Sequence, residues 1–269
     1  MIKIENVVLP SPQQWMAIVR GMRNPMNSWD KSDSYITHIE DSQTLQTADF
    51  EFFMGEADHK LAMNLAKSGT DHRKFMRMIM VWVDITAPLY WWKEFDTYKV
   101  GTVANSCSTM HTIHKKKLTF DDFSCENLDM ASRCSLEDTL YRANECIREF
   151  RETGDRGRWD QVIQLLPTSY NQKRTVVLNY EVLANMYKSR KNHKLKEWRD
   201  FCEFIDTLPY SELITCGGNP DIWYLCDREA CGDKCPNNNC MYTRDITHAV
   251  NFHADGDEYV EDLRLTIDL

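Results

Sequence analysis

Residues 75–85, FMRMIMVWVDI, alternate large apolar side chains with other residues and are rich in Val, Ile and Trp. A period of two with β-branched and aromatic residues predicts a β-strand. Pro88 ends the strand because proline lacks the N–H that continued pairing would need. Residues 89–100 then carry apolar side chains at helical spacing, which predicts a helix. The fold must therefore lead from one well-defined strand directly into a helix.

Amphipathic helices are predicted along much of the remaining chain up to residue 215. The apolar spacing predicts helices at 57–68, 135–153, 158–166 and 194–208, and a short extended run or helix start leading into a helix at 174–190. Gly69 and Gly154 end two of them, and Ser135 with Asp138 forms a capping box that predicts the start of the longest. Several helices with a few strands predict the α+β class.

Charge is distributed unevenly along the chain. The formal net charge is −9, and residues 216–269 contribute −7 of it, from four basic and eleven acidic residues. This change in composition predicts a domain boundary, with a large α+β domain at 1–215 and an acidic, Cys-rich segment at 216–269. The overall acidity also excludes a global basic field, so no long nucleic acid is expected as a partner.

Neither a membrane span nor an export signal is predicted. The chain has no run of about 18 apolar residues. Its first residues, MIKIENVVLPSPQQW, lack the basic and apolar regions of a secretory signal. We therefore expect a cytoplasmic protein with reduced thiols.

The ten cysteines include a scattered group and a compact one. The scattered cysteines are expected to be small buried residues: Cys107, Cys125, Cys134, Cys146 and Cys202. The compact group lies in the acidic segment, separated by four, three and four residues: Cys226, Cys231, Cys235 and Cys240. Four thiolates at this spacing predict a zinc site that staples a small lobe, with an iron–sulfur cluster or unligated thiols as alternatives. Substitute ligands would be Cys216, His248 and His253.

Positive charge is concentrated locally at 70–119 and 167–200, inside a region that is otherwise nearly neutral. Local basic density in an acidic protein suits a site for a small anion such as a nucleotide phosphate. The alternative is that most of these lysines and arginines lie on solvated helix faces.

The first of two informative segments is APLYWWKEFDTYKVGTVANSCSTMH, residues 87–111. Here Ala-Pro ends the predicted strand and a helix follows. The tripeptide Thr97-Tyr98-Lys99 comes next, then seven residues, then Cys107.

The second segment is LLPTSYNQKRTVVLNYEVLANMYKSR, residues 165–190. A Leu-Pro pair is followed at fixed spacings by a cation, two amides six residues apart and a second cation: Pro167, Lys173, Asn179, Asn185 and Arg190. Together the segments resemble the flavin-dependent, ThyX-type thymidylate synthases, whose Arg-His-Arg and Ser correspond to Thr97-Tyr98-Lys99 and Cys107. The resemblance covers about residues 75–215 and implies a ThyX-like domain of helices packed on a small sheet.

The resemblance also implies binding roles for individual residues. The family's two asparagines contact the flavin, so Asn179 and Asn185 are candidate FAD ligands, together with Lys99, which keeps one charge of Arg-His-Arg. The family's two arginines bind the pyrimidine nucleotide, so Lys173 and Arg190 are candidate nucleotide ligands. Because the family builds its sites between subunits of a tetramer, a homotetramer is implied here.

Two further residues are candidates for catalysis. Glu94 corresponds to the glutamine that reads the uracil edge, and its carboxylate is a candidate general acid or base. Cys107 becomes a candidate nucleophile if Lys99 lies near its thiol. The alternatives are an inert buried thiol, and a surface carboxylate paired with Lys93 or Lys99. The implied activity is a reductive alkylation at C5 of a pyrimidine nucleotide.

Departures from the family pattern support other functions. Lys99 is the one cation left of Arg-His-Arg, and Glu181 stands where the family has an arginine. Because a fold can persist after its chemistry is lost, the alternatives are a non-catalytic nucleotide-binding protein or a zinc-bearing interaction protein.

Overall fold

The computed structural model describes residues 2–39 and 49–215. The strands are β1 (Lys3–Val8), β2 (Tyr35–Ile39), β3 (Asp49–Phe53), β4 (Met80–Pro88), β5 (Val103–Ser106) and β6 (Asn171–Asn179). The helices are α1 (Pro12–Arg23), α2 (Glu56–Lys67), α3 (Leu89–Phe95), α4 (Thr109–Thr112), α5 (Met130–Thr153), α6 (Arg156–Leu165), α7 (Tyr180–Arg190), α8 (Lys196–Asp206) and α9 (Glu212–Thr215). A 3-10 turn at Arg73–Arg77 precedes β4.

Strand pairing within the described residues gives a four-stranded sheet in the order β1-β4-β6-β5 and a separate pair, β2-β3. β5 runs antiparallel to β6, with Val103 opposite Val177 and Ser106 opposite Arg174. β2 and β3 are also antiparallel, with Tyr35 opposite Phe53. Helices with small sheets confirm the predicted α+β class.

Most predicted elements are present with shifted ends. The strand expected at 75–85 begins at Met80, because the 3-10 turn takes up the residues before it. The helix expected at 89–100 ends at Phe95. Gly154 ends α5 in the left-handed region, at φ +72°, as predicted for a glycine at a helix C-terminus.

The predicted start of α5 was wrong. The helix begins at Met130, and the Asp129 side chain caps it by accepting a hydrogen bond from the Ser132 N–H at 2.8 Å. Ser135 lies inside the helix, where its hydroxyl donates to the Ala131 carbonyl at 3.1 Å. A serine or threonine can bond back along a helix as well as cap it, so the capping-box pattern alone does not fix the start.

The chain divides into two compact units, and the division passes within β1, β4 and β6. Within the described residues, the first unit contains residues 2–5, Val83–Val177 and Asn192–Phe201. The second contains residues 6–39, 49–82, Leu178–Lys191 and 202–215.

Aromatic side chains from α3 and α8 form a core in the first unit. Trp91 and Trp92 are buried, and the Trp91 ring centroid lies 4.7 Å from that of Trp198 and 5.1 Å from that of Phe95. Each such ring contributes on the order of 1.5–3 kcal/mol by burial. This packing fixes the end of α3, from which the chain leads through Lys99 into β5.

In the second unit, rings from α1, β3 and the segment before α9 pack together. Trp15 stacks on Phe52 with centroids 5.5 Å apart and meets Tyr210 edge-on at 5.2 Å. The start of α7 is anchored separately, because the Tyr180 N–H donates to the Ile79 carbonyl at 3.1 Å. α7 is thereby fixed beside the chain that follows the 3-10 turn.

The scattered cysteines differ in their exposure. Cys146 and Cys202 are buried as expected, whereas Cys107 and Cys134 are exposed, contrary to expectation. The compact group of cysteines, and the whole acidic segment 216–269, lie outside the described residues.

Within the ranges that the structure covers, no helix is long and apolar enough to cross a membrane.

Candidate functional site

In the first unit, Lys173 on β6 lies between carboxylates from the two strands before it in the sheet. Its Nζ is 3.0 Å from Asp84 Oδ2 on β4 and 3.7 Å from Glu5 Oε2 on β1. Thr175, two residues further along β6, donates to Asp84 Oδ1 at 2.6 Å. The hydrogen bond to Asp84, helped by the charges of Asp84 and Glu5, raises the pKa of Lys173. Lys173 is therefore a cation with its charge balanced by neighbouring carboxylates.

Cys107 lies directly after β5, beside Lys173. Its N–H donates to the Lys173 carbonyl at 2.9 Å, and its own carbonyl accepts from Gln172 Nε2 at 3.0 Å. These bonds extend the β5–β6 pairing by one residue and fix the Cys107 backbone next to the cation. The thiol itself is exposed, so the position can be reached by a ligand or a reagent.

Glu94 on α3 is held by residues of the first unit. The Trp198 indole N–H donates to Glu94 Oε2 at 3.0 Å, and His193 Nε2 lies 3.4 Å from the same oxygen. The side chain remains half-buried. Glu94 is thus oriented by Trp198 on α8 and by His193 before it.

The tripeptide Thr97-Tyr98-Lys99 forms the turn that follows α3. Thr97 returns to the Glu94 carbonyl through its N–H at 3.2 Å and its hydroxyl at 2.7 Å. The Tyr98 ring lies edge-on to Trp198 with centroids 6.0 Å apart. Thr97 and Tyr98 therefore have structural contacts, whereas Lys99 is exposed.

In the second unit, Asn179 lies just before α7 and Asn185 lies within it, in different environments. Asn179 is buried and caps the helix, since its Oδ1 accepts from the Val182 N–H at 3.0 Å. Asn185 is exposed in the second turn, and its Oδ1 accepts from Arg73 Nη2 at 3.0 Å. Arg190 is the last residue of α7, where a cation interacts favourably with the helix dipole.

Next to Asn185, two arginines of the 3-10 turn contact Glu181 in the first turn of α7. Arg77 donates to Glu181 Oε2 through Nε and to Oε1 through Nη2 at 3.3 Å, while Arg73 Nε lies 3.4 Å from Oε1. Burial alone would raise the pKa of the Glu181 carboxyl. The hydrogen bond from Arg77 and the charges of both arginines outweigh burial and lower that pKa.

The architecture is similar to that of known enzymes. A crystal structure of thymidylate synthase X (ThyX) from Helicobacter pylori with FAD and dUMP matches 81% of this chain over 100% of its own length, with 14% identity and a TM-score of 0.57. A second structure, flavin-dependent thymidylate synthase ThyX from the same organism complexed with FAD and dUMP, matches 80% of this chain over 97% of its own. Its identity is 15% and its TM-score 0.53. The chain has the ThyX fold.

This finding confirms the fold implied by the two sequence segments. No protein-family model and no curated protein matches the chain. The similarity to ThyX is therefore one of architecture and assigns no role to an individual residue.

Sequence reasoning missed the carboxylate partners in both units. Asp84 is an acidic residue in the mainly apolar sequence of β4. An acid in such a strand is a signal, readable from the sequence, that a polar partner lies nearby. Arg73 and Arg77 are four residues apart, on either side of the buried Phe75 and Met76. The sequence gives no means of locating Glu181 beside both of them.

Proposed function

We propose that this chain is a flavin-dependent enzyme that acts on a pyrimidine nucleotide, by a thymidylate-synthase-like reductive alkylation at C5. One observation carries the proposal: in a ThyX fold, the two segments that resemble the family lie side by side as β5 and β6. Cys107 of the first segment donates its N–H to the Lys173 carbonyl of the second. Residues more than sixty positions apart in sequence are thus neighbours, as a shared site requires.

Donor groups of the second unit suit a flavin. The exposed Asn185 carries an amide N–H2 that can donate to a ring carbonyl, and Arg73 and Arg77 carry guanidinium groups that match phosphate oxygens. Buried Asn179 contributes by fixing the start of α7. When bound, the flavin would supply the hydride for the alkylation.

In the first unit, we assign each proposed role to a side chain that solvent, and therefore a ligand, can reach. Lys173 is a cation for the nucleotide phosphate, and exposed Lys99 is a second positive charge, which we assign to the cofactor. Cys107 is the candidate nucleophile, because its thiol is exposed beside Lys173. Glu94 is the candidate general acid or base, oriented by Trp198 and His193. We assign Arg190, at the end of α7, to the nucleotide as well.

A second candidate function is nucleotide binding without catalysis. The observation favouring it is that Lys173 already has carboxylate partners in Asp84 and Glu5. A cation balanced in this way binds a phosphate more weakly and stabilises less charge in a transition state.

Wider proposals rest on the sequence. We propose a homotetramer, from the ThyX resemblance, and a cytoplasmic location. We also propose that Cys226, Cys231, Cys235 and Cys240 hold zinc in a small lobe at 216–269, appended to the domain at 1–215.

The test combines ligand binding with turnover. The purified full chain should show flavin absorbance or bind added FAD, and should bind dUMP in calorimetric titrations. Reduced flavin with a labelled one-carbon donor should then transfer label to dUMP. Binding of both ligands without label transfer would favour the non-catalytic function, and binding of neither would contradict both.

Cys107→Ala tests whether the Cys107 thiol is the nucleophile. We expect this variant to retain dUMP binding and to lose label transfer by at least about a hundredfold, the lower range for an activated catalytic group. Cys134→Ala is the matched control, because Cys134 is also exposed but lies on α5. Equal transfer by the two variants would remove Cys107 from the mechanism.

A further inference from the structure

Two arginines in the second unit share one carboxylate. Arg77 contacts Glu181 with two nitrogens, Nε and Nη2, and Arg73 adds a third contact through Nε. Guanidinium groups bind carboxylates and phosphates through the same pair of parallel N–H donors. Glu181 therefore occupies donors that a phosphate ligand would otherwise use.

Arg73, Arg77 and Glu181 form a cluster whose charge and burial strengthen the binding of Glu181 to the two arginines. Two guanidinium groups face one carboxylate, so the three side chains carry a net charge of about +1 rather than +2. The side chains of Glu181 and Arg73 are 12% and 15% exposed, so water and salt screen their interaction less than at an open surface. Asp71 adds a further negative charge that acts on Arg77.

We propose that Glu181 is a specificity-determining residue for the ligand of this cluster, acting as a built-in competitor that an anionic ligand must displace from Arg73 and Arg77. Because the competitor belongs to the same chain, it acts at a high effective concentration. The wild-type cluster consequently binds a pyrophosphate group more weakly than Arg73 and Arg77 would without Glu181. The inference deepens the proposed function, and its FAD measurement rests on that function.

The experiment titrates inorganic pyrophosphate into the full chain by calorimetry at low ionic strength. Glu181→Gln keeps the shape of the side chain and removes its charge, so Arg73 and Arg77 become available. We expect pyrophosphate to bind this variant at least about tenfold more tightly than wild type, as for the gain of a charged hydrogen bond. Glu203→Gln on α8 removes the same charge from an exposed position and should leave the affinity unchanged. Equal affinities of wild type and Glu181→Gln would overturn the proposal.

A second variant tests the same idea if Glu181→Gln folds poorly. Arg77 is half exposed, so Arg77→Gln should fold and should weaken pyrophosphate binding at least about tenfold relative to wild type. Unchanged affinity in Arg77→Gln would overturn the proposal.

Parallel titrations with FAD separate this inference from the proposed function. If FAD binds neither wild type nor Glu181→Gln while pyrophosphate affinity rises in the variant, the proposed function fails and the inference stands. If FAD binds both proteins equally and pyrophosphate affinity does not change, the function stands and the inference fails.

Discussion

Replacing Asp58 with asparagine should destabilise the protein by about 3–5 kcal/mol, the range for removing one member of a buried ion pair. Asp58 is in the first turn of α2 and is fully buried, and Arg23 at the end of α1 is 4% exposed. Asp58 Oδ1 accepts from Arg23 Nε, and Oδ2 accepts from the hydroxyls of Ser32 and Ser34, each at 2.7 Å. Asparagine would leave the Arg23 guanidinium buried without its counter-ion.

The pH dependence of this effect has a definite sign. Burial tends to raise the pKa of Asp58, but hydrogen bonds from Ser34, Ser32 and Arg23 outweigh it and lower the pKa. A carboxyl with a lowered pKa contributes its full stabilisation above the pKa of an unfolded aspartate, about 3.9, and loses it as the pH falls through the folded value. The difference between wild type and Asp58→Asn should therefore be largest near neutral pH and shrink in acid.

Urea unfolding followed by tryptophan fluorescence measures both effects. Glu145→Gln is the control, since it removes one carboxylate partner of the exposed Arg148 on α5, and it should leave the free energy of unfolding almost unchanged. A loss below about 1 kcal/mol for Asp58→Asn, the value typical of an exposed pair, would refute the reasoning. So would a difference that grows as the pH is lowered.

Further predictions concern ligands, backbone, metal and assembly. Lys173→Gln should weaken dUMP binding at least about tenfold in calorimetry, while Lys188→Gln, an exposed residue on α7, should not. Gly154→Ala should lower the free energy of unfolding in urea by about 1–2 kcal/mol, because φ is +72° at this position. An added Cβ would meet no atom within 4 Å, so the backbone conformation alone would cause the loss, and an unchanged free energy would contradict a left-handed cap. Elemental analysis should find one zinc per chain, and less than about 0.3 would exclude the four-cysteine site. Light scattering should give a tetramer, and a monomer would contradict the assembly.

Secondary structure was predictable wherever a local period decided it. The alternation in residues 75–85 predicted β4, and glycines at 69 and 154 predicted two helix ends, which lie at φ +97° and +72°. The errors lie at boundaries with competing local options. Residues Arg73–Arg77 form a 3-10 turn, and Ser135 bonds back within α5 instead of capping it. Such choices depend on packing beyond the local pattern.

The candidate site was predictable as a set of residues but not as a set of contacts. Family spacing selected Lys173, and the pairing of β4 with β6 in the sheet brings Asp84, 89 residues earlier in the sequence, beside it. Sequence spacing carries no information on register between distant strands. The same holds for Glu181, which receives arginines more than a hundred residues before it.

The contacts change how the basic stretches of this sequence should be interpreted. Counted along the chain, Lys173, Arg73 and Arg77 appear as positive charge ready for an anion, yet each of them meets a carboxylate in its own unit. An anion that binds such a cation must replace the carboxylate already paired with it. The affinity for the anion therefore reflects the difference in free energy between two ion pairs rather than the strength of one. Removing a carboxylate should therefore raise anion affinity, and removing a cation should lower it. We therefore expect Asp84 and Glu181 to influence the charge of a ligand in each unit as much as Lys173, Arg73 and Arg77 do.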